Sequence, residues 1–125
     1  MSRIFLLVGI GGFLGSAARY YSQQFLAKSI PSVLPYGTLA VNIIGCFLIG
    51  IIYGLSSRGN VLSPDWRIFL ATGFCGGFTT FSAFSYESIS LMQDGEYLYL
   101  SIYIAASVLF GLAATYLGIL LIKSI

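Results

Sequence analysis

Histidine is absent from this sequence. That removes the commonest acid/base at neutral pH and the commonest metal ligand. Charge is nearly as scarce, with six Lys+Arg and four Asp+Glu making 8% of 125 residues, against about 25% in a soluble domain. The six cations are scattered, so the net charge of +2 builds no basic cluster and excludes a nucleic-acid surface. The only cysteines, Cys46 and Cys75, both lie inside apolar stretches and read as inert buried thiols. The three prolines, Pro31, Pro35 and Pro64, fall between apolar stretches. No room remains for a soluble catalytic domain, and nothing points to an enzyme.

What is abundant is apolar surface: 58% of the residues are hydrophobic and the mean hydropathy is +0.92. Uncharged stretches run from Arg3 to Arg19, Lys28 to Arg58, Arg67 to Glu87 and Glu96 to Lys123. A helix needs about 20 mostly apolar residues to cross a ~30 Å hydrocarbon core, so four spans fill the chain. They are expected over residues 4–27, 37–55, 66–92 and 97–122, with loops at 29–35 and 56–64 and a short acidic turn at 93–96. The apolar pattern continues past Arg19 to Ala27, which favours a retained first span over a cleaved leader. The expected fold class is therefore an all-α, multi-pass integral membrane protein whose partner is the lipid bilayer. Residues 1–125 form a single four-helix transmembrane domain.

Short connections make successive helices antiparallel neighbours and put both termini on one side. That side holds Arg3, Arg58, Arg67 and Lys123, and the other holds Arg19 and Lys28. This small bias leaves room for insertion in both orientations. Glycine is the second signal: Gly11 and Gly15, Gly50 and Gly54, and Gly73 and Gly77 are each four apart. Small residues at that spacing let helices approach closely in lipid. Tightly packed helices leave no lumen, so a transport route calls for a further copy of the chain.

The third span carries Gly73-Phe74-Cys75-Gly76-Gly77-Phe78-Thr79-Thr80-Phe81-Ser82-Ala83-Phe84-Ser85. Glycine costs about 1 kcal/mol against alanine within a helix, and the Gly-Gly pair followed by Thr-Thr predicts a break near mid-membrane. Non-helical backbone persists at that depth only when buried in protein or lining a cavity. Beyond the break, Phe81 and Phe84 are three apart, interleaved with Ser82 and Ser85. Phenylalanines at this spacing commonly face lipid or core, yet a ring edge carries partial positive charge and favours an anion. In the second span Thr38, Asn42 and Gly45 share a face; in the fourth, Tyr103, Ser107, Gly111 and Thr115 recur every four residues. An intramembrane Asn glues helices or lines a polar path. Together these faces supply amide, hydroxyl and ring-edge donors with no carboxylate along the path, an inventory that suits a small anion. Arg19 and Glu87 fall near the same membrane face, which predicts an ion pair beside a vestibule of positive potential.

Three motifs now stand in order. Gly11-Gly12-Phe13-Leu14-Gly15-Ser16-Ala17-Ala18-Arg19-Tyr20, Gly37-Thr38-Leu39-Ala40-Val41-Asn42-Ile43-Ile44-Gly45 and Gly73 through Phe84 resemble the first-, second- and third-helix signatures of the small fluoride channels called Fluc. The resemblance spans two-thirds of the chain, and the fourth helix matches by position and polar stripe. It implies an antiparallel, dual-topology homodimer in the cell's inner membrane, with fluoride as the ion passed. Two fluoride pathways would flank the dimer axis. A central structural Na+ would be held by the backbone carbonyls of Gly76 and Thr79. The family's anion path falls on Asn42, Phe81, Phe84, Tyr103 and Ser107, with Thr38 and Ser82 beside it. Ala83 stands where the family usually has Thr, and Ser16 where it usually has Ala. Two other readings compete: a small multidrug-type dual-topology transporter, which needs an intramembrane carboxylate that exchanges protons, and a non-transporting membrane assembly subunit.

Overall fold

The computed structural model describes residues 2–59 and 61–125; Asn60, inside the expected 56–64 loop, lies outside them. Four helical spans emerge. The first is α1 (Ser2–Ser29) and the second α2 (Tyr36–Ser56). The third comprises a short α3 (Pro64–Arg67), a π-helical stretch (Ile68–Cys75), a single turn α4 (Gly76–Phe78) and α5 (Phe81–Gln93). The fourth is α6 (Tyr97–Lys123). All four are long and apolar enough to cross a membrane, and among the described residues there is no strand. Each span begins and ends within about two residues of its expected boundary, because prolines, glycines and charges bound it.

Local chemistry sets the ends. Pro64 opens α3 behind Ser63, whose hydroxyl accepts from the Trp66 amide at 3.3 Å; proline suits a first turn, where its missing N–H has no helical partner anyway. Gly95, at φ +75°, closes α5. Its amide returns to the Met92 carbonyl and that of Glu96 to the Leu91 carbonyl, a left-handed C-cap that glycine adopts without steric cost.

The spans pack as two tight pairs through backbone rather than large side chains. In α1, a Cβ on Gly11 would lie 2.6 Å from the Phe69 carbonyl oxygen, and one on Gly15 would overlap the Phe74 carbonyl. In the second pair, Gly50 of α2 meets the Thr115 carbonyl, and a Cβ on Gly118 would lie 2.5 Å from the Phe47 carbonyl oxygen. The glycine spacing thus does what lipid-embedded helices require, where close packing and not water exclusion drives association. Large apolar side chains such as Phe5, Phe13, Leu98, Leu109 and Leu112 point outward, towards where lipid would be. At the terminal side Arg3 pairs with Asp65 at 3.4 Å, and Arg58 donates to the Ile125 carbonyl at 3.2 Å.

The third span breaks at Thr79–Thr80, both extended (ψ 156° and 117°). The upstream π-helical stretch has no counterpart in the sequence reading. Stretches of this kind commonly lie near functional sites, and this one leads into the break.

Candidate functional site

The break frees backbone groups that a continuous helix would pair, and each has a traceable fate. The Thr80 amide donates to Asn42 Oδ1 at 2.8 Å, and Asn42 Nδ2 donates to the Thr80 carbonyl at 3.1 Å. The Thr80 hydroxyl caps α5 by accepting from the Ala83 amide at 3.1 Å, the arrangement expected of a threonine N-cap. The Gly77 carbonyl accepts from Arg19 Nε at 3.1 Å. Among the described residues, no hydrogen bond reaches the carbonyls of Gly76 or Thr79, and Gly76 is exposed on the surface of the single chain.

Beside the break lies a cleft of about 330 Å³ lined by Asn42, Cys46, Thr79, Phe81, Phe84, Ser107 and neighbours. Phe81 is 79% exposed, and its ring centroid lies 5.6 Å from that of Phe84, which lies 5.2 Å from Tyr103. The Ser107 Oγ is buried with no hydrogen-bond partner. Asn42 keeps one amide hydrogen after bonding Thr80, since an amide nitrogen has two. No titratable carboxyl lines this cleft. Four residues expected on an anion path, Asn42, Phe81, Phe84 and Ser107, are therefore brought together.

Three others do not line the cleft, although the Tyr103 ring lies against that of Phe84. Ser82 is exposed beside the break, 3.3 Å from the Thr80 hydroxyl. Thr38 and Tyr103 are 2% and 0% exposed and turn to Glu87 instead. Thr38 Oγ1 donates to Glu87 Oε2 at 3.0 Å, and the Tyr103 hydroxyl donates to Oε1 at 2.9 Å. Beside the carboxylate-free cleft, Glu87, six residues inside α5, organises two of the expected path residues. In the sequence Glu87 reads as lying near a helix end, whereas it lies at the middle of α5, nearly two turns from either end.

The expected Arg19–Glu87 ion pair does not form. Arg19 Nε goes to the Gly77 carbonyl, and its Nη1 donates to Gln23 Oε1 at 3.2 Å. The reason is packing: a Cβ on Gly77 would lie 2.5 Å from the Gly12 carbonyl oxygen, so α1 runs against α4 and delivers Arg19 to the break. Glu87, on α5, is reached only through intermediates. Sequence reasoning missed Gln23 and the capping role of Thr80. The available signals were an amide one turn after Arg19 and a threonine three residues before Ala83.

Comparison with known proteins agrees with the motifs. A family model described as CrcB-like protein, Camphor Resistance (CrcB), matches residues 6–119. A protein of Chlorobium phaeobacteroides (strain DSM 266) named fluoride-specific ion channel FluC is 55% identical over 114 residues, covering 91% of this chain and 88% of its own. Relatives of the same name share 48% identity over 118 residues in Gloeothece citriformis, covering 94% of this chain and 95% of their own, and 42% over 123 residues in Leptospira interrogans, covering 98% and 97%. The three signature segments, the broken third span and a match over nearly the whole length converge, and the chain belongs to the CrcB-like family of multi-pass membrane proteins.

Proposed function

We propose that this chain is a fluoride-selective channel, the activity its relatives are named for, and that it lets F− leave the cytoplasm passively. The observation that carries the reading is the cleft at the break. It offers an unpartnered Ser107 hydroxyl, a spare Asn42 amide hydrogen and the edges of Phe81 and Phe84, donors without a fixed cation. Such a site desolvates a small, strongly hydrated anion while leaving it able to exit. HF diffusing inward dissociates at cytoplasmic pH, and an inside-negative potential contributes about 2.3 kcal/mol per 100 mV to expelling the resulting anion.

The working unit in this reading is an antiparallel homodimer with two pathways. Exposure of Gly76 and Phe81 at the middle of a span supports a second copy, because unpaired carbonyls facing hydrocarbon would each cost several kcal/mol. Four-to-two partition of cations between the two sides is small enough for dual insertion. A central Na+ fits the residues present. The Gly76 and Thr79 carbonyls have no other partner among the described residues, and hard oxygen donors without a carboxylate suit a monovalent ion over Mg2+ or Ca2+. Bound there from two subunits, Na+ would be structural.

The test is fluoride efflux from liposomes loaded with KF, started by a K+ ionophore and followed with a fluoride electrode, with KCl-loaded vesicles as control. Rapid fluoride loss with retained chloride is expected. Efflux of a lipophilic cation against a proton gradient would support the multidrug-type reading, and no transport at all the assembly-subunit reading. Orientation is checked by the accessibility of a tagged terminus from each side of the membrane, and a single orientation would reject the antiparallel dimer.

A further inference from the structure

Outside the cleft, the structure holds one continuous polar chain, in which Thr38 and Tyr103 are joined to a residue, Gln23, that the channel reading does not use. It runs from the Gly77 carbonyl to Arg19, from Arg19 Nη1 to Gln23 Oε1 at 3.2 Å, and from Gln23 Nε2 to Thr38 Oγ1 at 3.0 Å. From there Thr38 donates to Glu87, which also accepts from Tyr103. Every direction in this chain is forced by its two ends. Arginine only donates and a carboxylate only accepts. Gln23 must therefore turn its oxygen to Arg19 and its nitrogen to Thr38. The Thr38 oxygen, receiving that hydrogen, sends its own single proton to Glu87.

We propose that Gln23 is a positioning residue: it joins the Arg19 cation at the helix break to the Glu87 carboxylate, and so couples the break to the packing around Tyr103. Arg19 and Glu87 make no direct ion pair among the described residues, and each is costly to hold within a membrane span unless compensated. Gln23 supplies the polarised link, since hydrogen bonds in series strengthen one another in a low dielectric. A second, independent feature places it. Gly37, next to Thr38, has no side chain, and a Cβ there would lie 3.0 Å from the Gln23 Cα and 3.1 Å from its carbonyl oxygen. Close approach of the start of α2 to α1 is what brings the Gln23 amide within reach of Thr38. Gln23 also lines a cavity of about 560 Å³ of mixed polar and apolar lining, together with Leu26, Ile30, Leu34, Thr38 and Glu87. The link is therefore not sealed in a core, and its role is not mere filling of space.

The test uses Gln23→Met, which retains length and volume but neither donor nor acceptor, and reads two quantities. One is fluoride efflux, which rests on the channel reading; the other is thermal melting of the purified protein in detergent, which does not. Efflux of Gln23→Met is expected to fall about tenfold, the equivalent of one lost hydrogen bond to a charged group. In the wild-type background, Arg19→Gln and Glu87→Gln should each lower the melting temperature, and together by clearly less than the sum, because they share one network. In the Gln23→Met background the two losses should add. Gly37→Ala should resemble Gln23→Met by separating the helices. Equal non-additivity with and without Gln23, or wild-type efflux from Gln23→Met beside a conducting wild type, would overturn the proposal. If the wild type itself passes no fluoride, the channel reading falls, and the melting cycle alone decides the role of Gln23.

Discussion

Asn42 stands in for the helical partners that Thr80 lacks, its Oδ1 accepting from the Thr80 amide at 2.8 Å and its Nδ2 donating to the Thr80 carbonyl at 3.1 Å. A side-chain amide has the same donor and acceptor as a peptide group, so α2 carries the hydrogen bonding across the gap in the third span. Asn42→Leu should leave two part-buried backbone groups unpaired and cost at most about 2–6 kcal/mol, at 1–3 for each. Asn42→Asp retains the acceptor, loses the donor and places a possible negative charge on the anion's route, so its efflux should fall further than its stability. Melting and fluoride efflux measured side by side check both; wild-type values in Asn42→Leu would show that the break does not depend on this residue.

Phe81 and Phe84 differ in what surrounds them. Phe81 is largely exposed, whereas Phe84 sits between Phe81 and Tyr103. Substituting isoleucine retains apolar volume and removes the ring edge. Phe81→Ile should therefore depress fluoride efflux with little change in melting temperature. Phe84→Ile should depress efflux and also lose about 0.5–1.5 kcal/mol of ring–ring interaction. Unchanged efflux in both would return the rings to simple packing.

At the break, a Cβ on Gly76 would meet only the Ala71 carbonyl oxygen, at 3.9 Å. The Cβ of Gly76→Val therefore meets no clash within one subunit, and damage beyond the small helix-propensity cost of a β-branched residue arises at the partner or the cation. It should weaken dimerisation on size exclusion and abolish dependence on Na+ over a bulky organic cation. Thr79→Ser retains the carbonyl and removes only the methyl that faces Gly45, and its effect should be smaller. A Gly76→Val dimer indistinguishable from wild type would remove the case for a cation held there.

The glycines are not equivalent. Gly15→Ala drives a methyl group into the Phe74 carbonyl, an overpacking that should cost about 1–3 kcal/mol. Gly9 has nothing within 4 Å of its would-be Cβ, and Gly9→Ala should be neutral or gain up to about 1 kcal/mol from helix propensity. Thermal melting of the two variants distinguishes them, and equal losses would place a partner against Gly9.

Composition and spacing alone determined the membrane class, the four spans, the glycine contacts and the broken third helix. Each of these depends on properties carried by short segments: apolar length, the four-residue repeat of small residues, and the cost of Gly-Gly and Thr-Thr within a helix. Periodicity put Asn42 on one face of α2 and Ser107 on one face of α6, but the grouping of Asn42, Phe81, Phe84 and Ser107 into one path was an implication of the motif resemblance. The tertiary structure decided which polar groups meet. Arg19 and Glu87 sit at matching depths, so depth alone suggests an ion pair. The packing of α1 on α4 through Gly12 and Gly77 hands Arg19 to a carbonyl, and the approach of α2 at Gly37 inserts Gln23 and Thr38 between the charges. Periodicity specifies the face of a helix and not its neighbour's rotation. A hydrogen bond needs placement to within a few tenths of an ångström, and only the packed backbone supplies that.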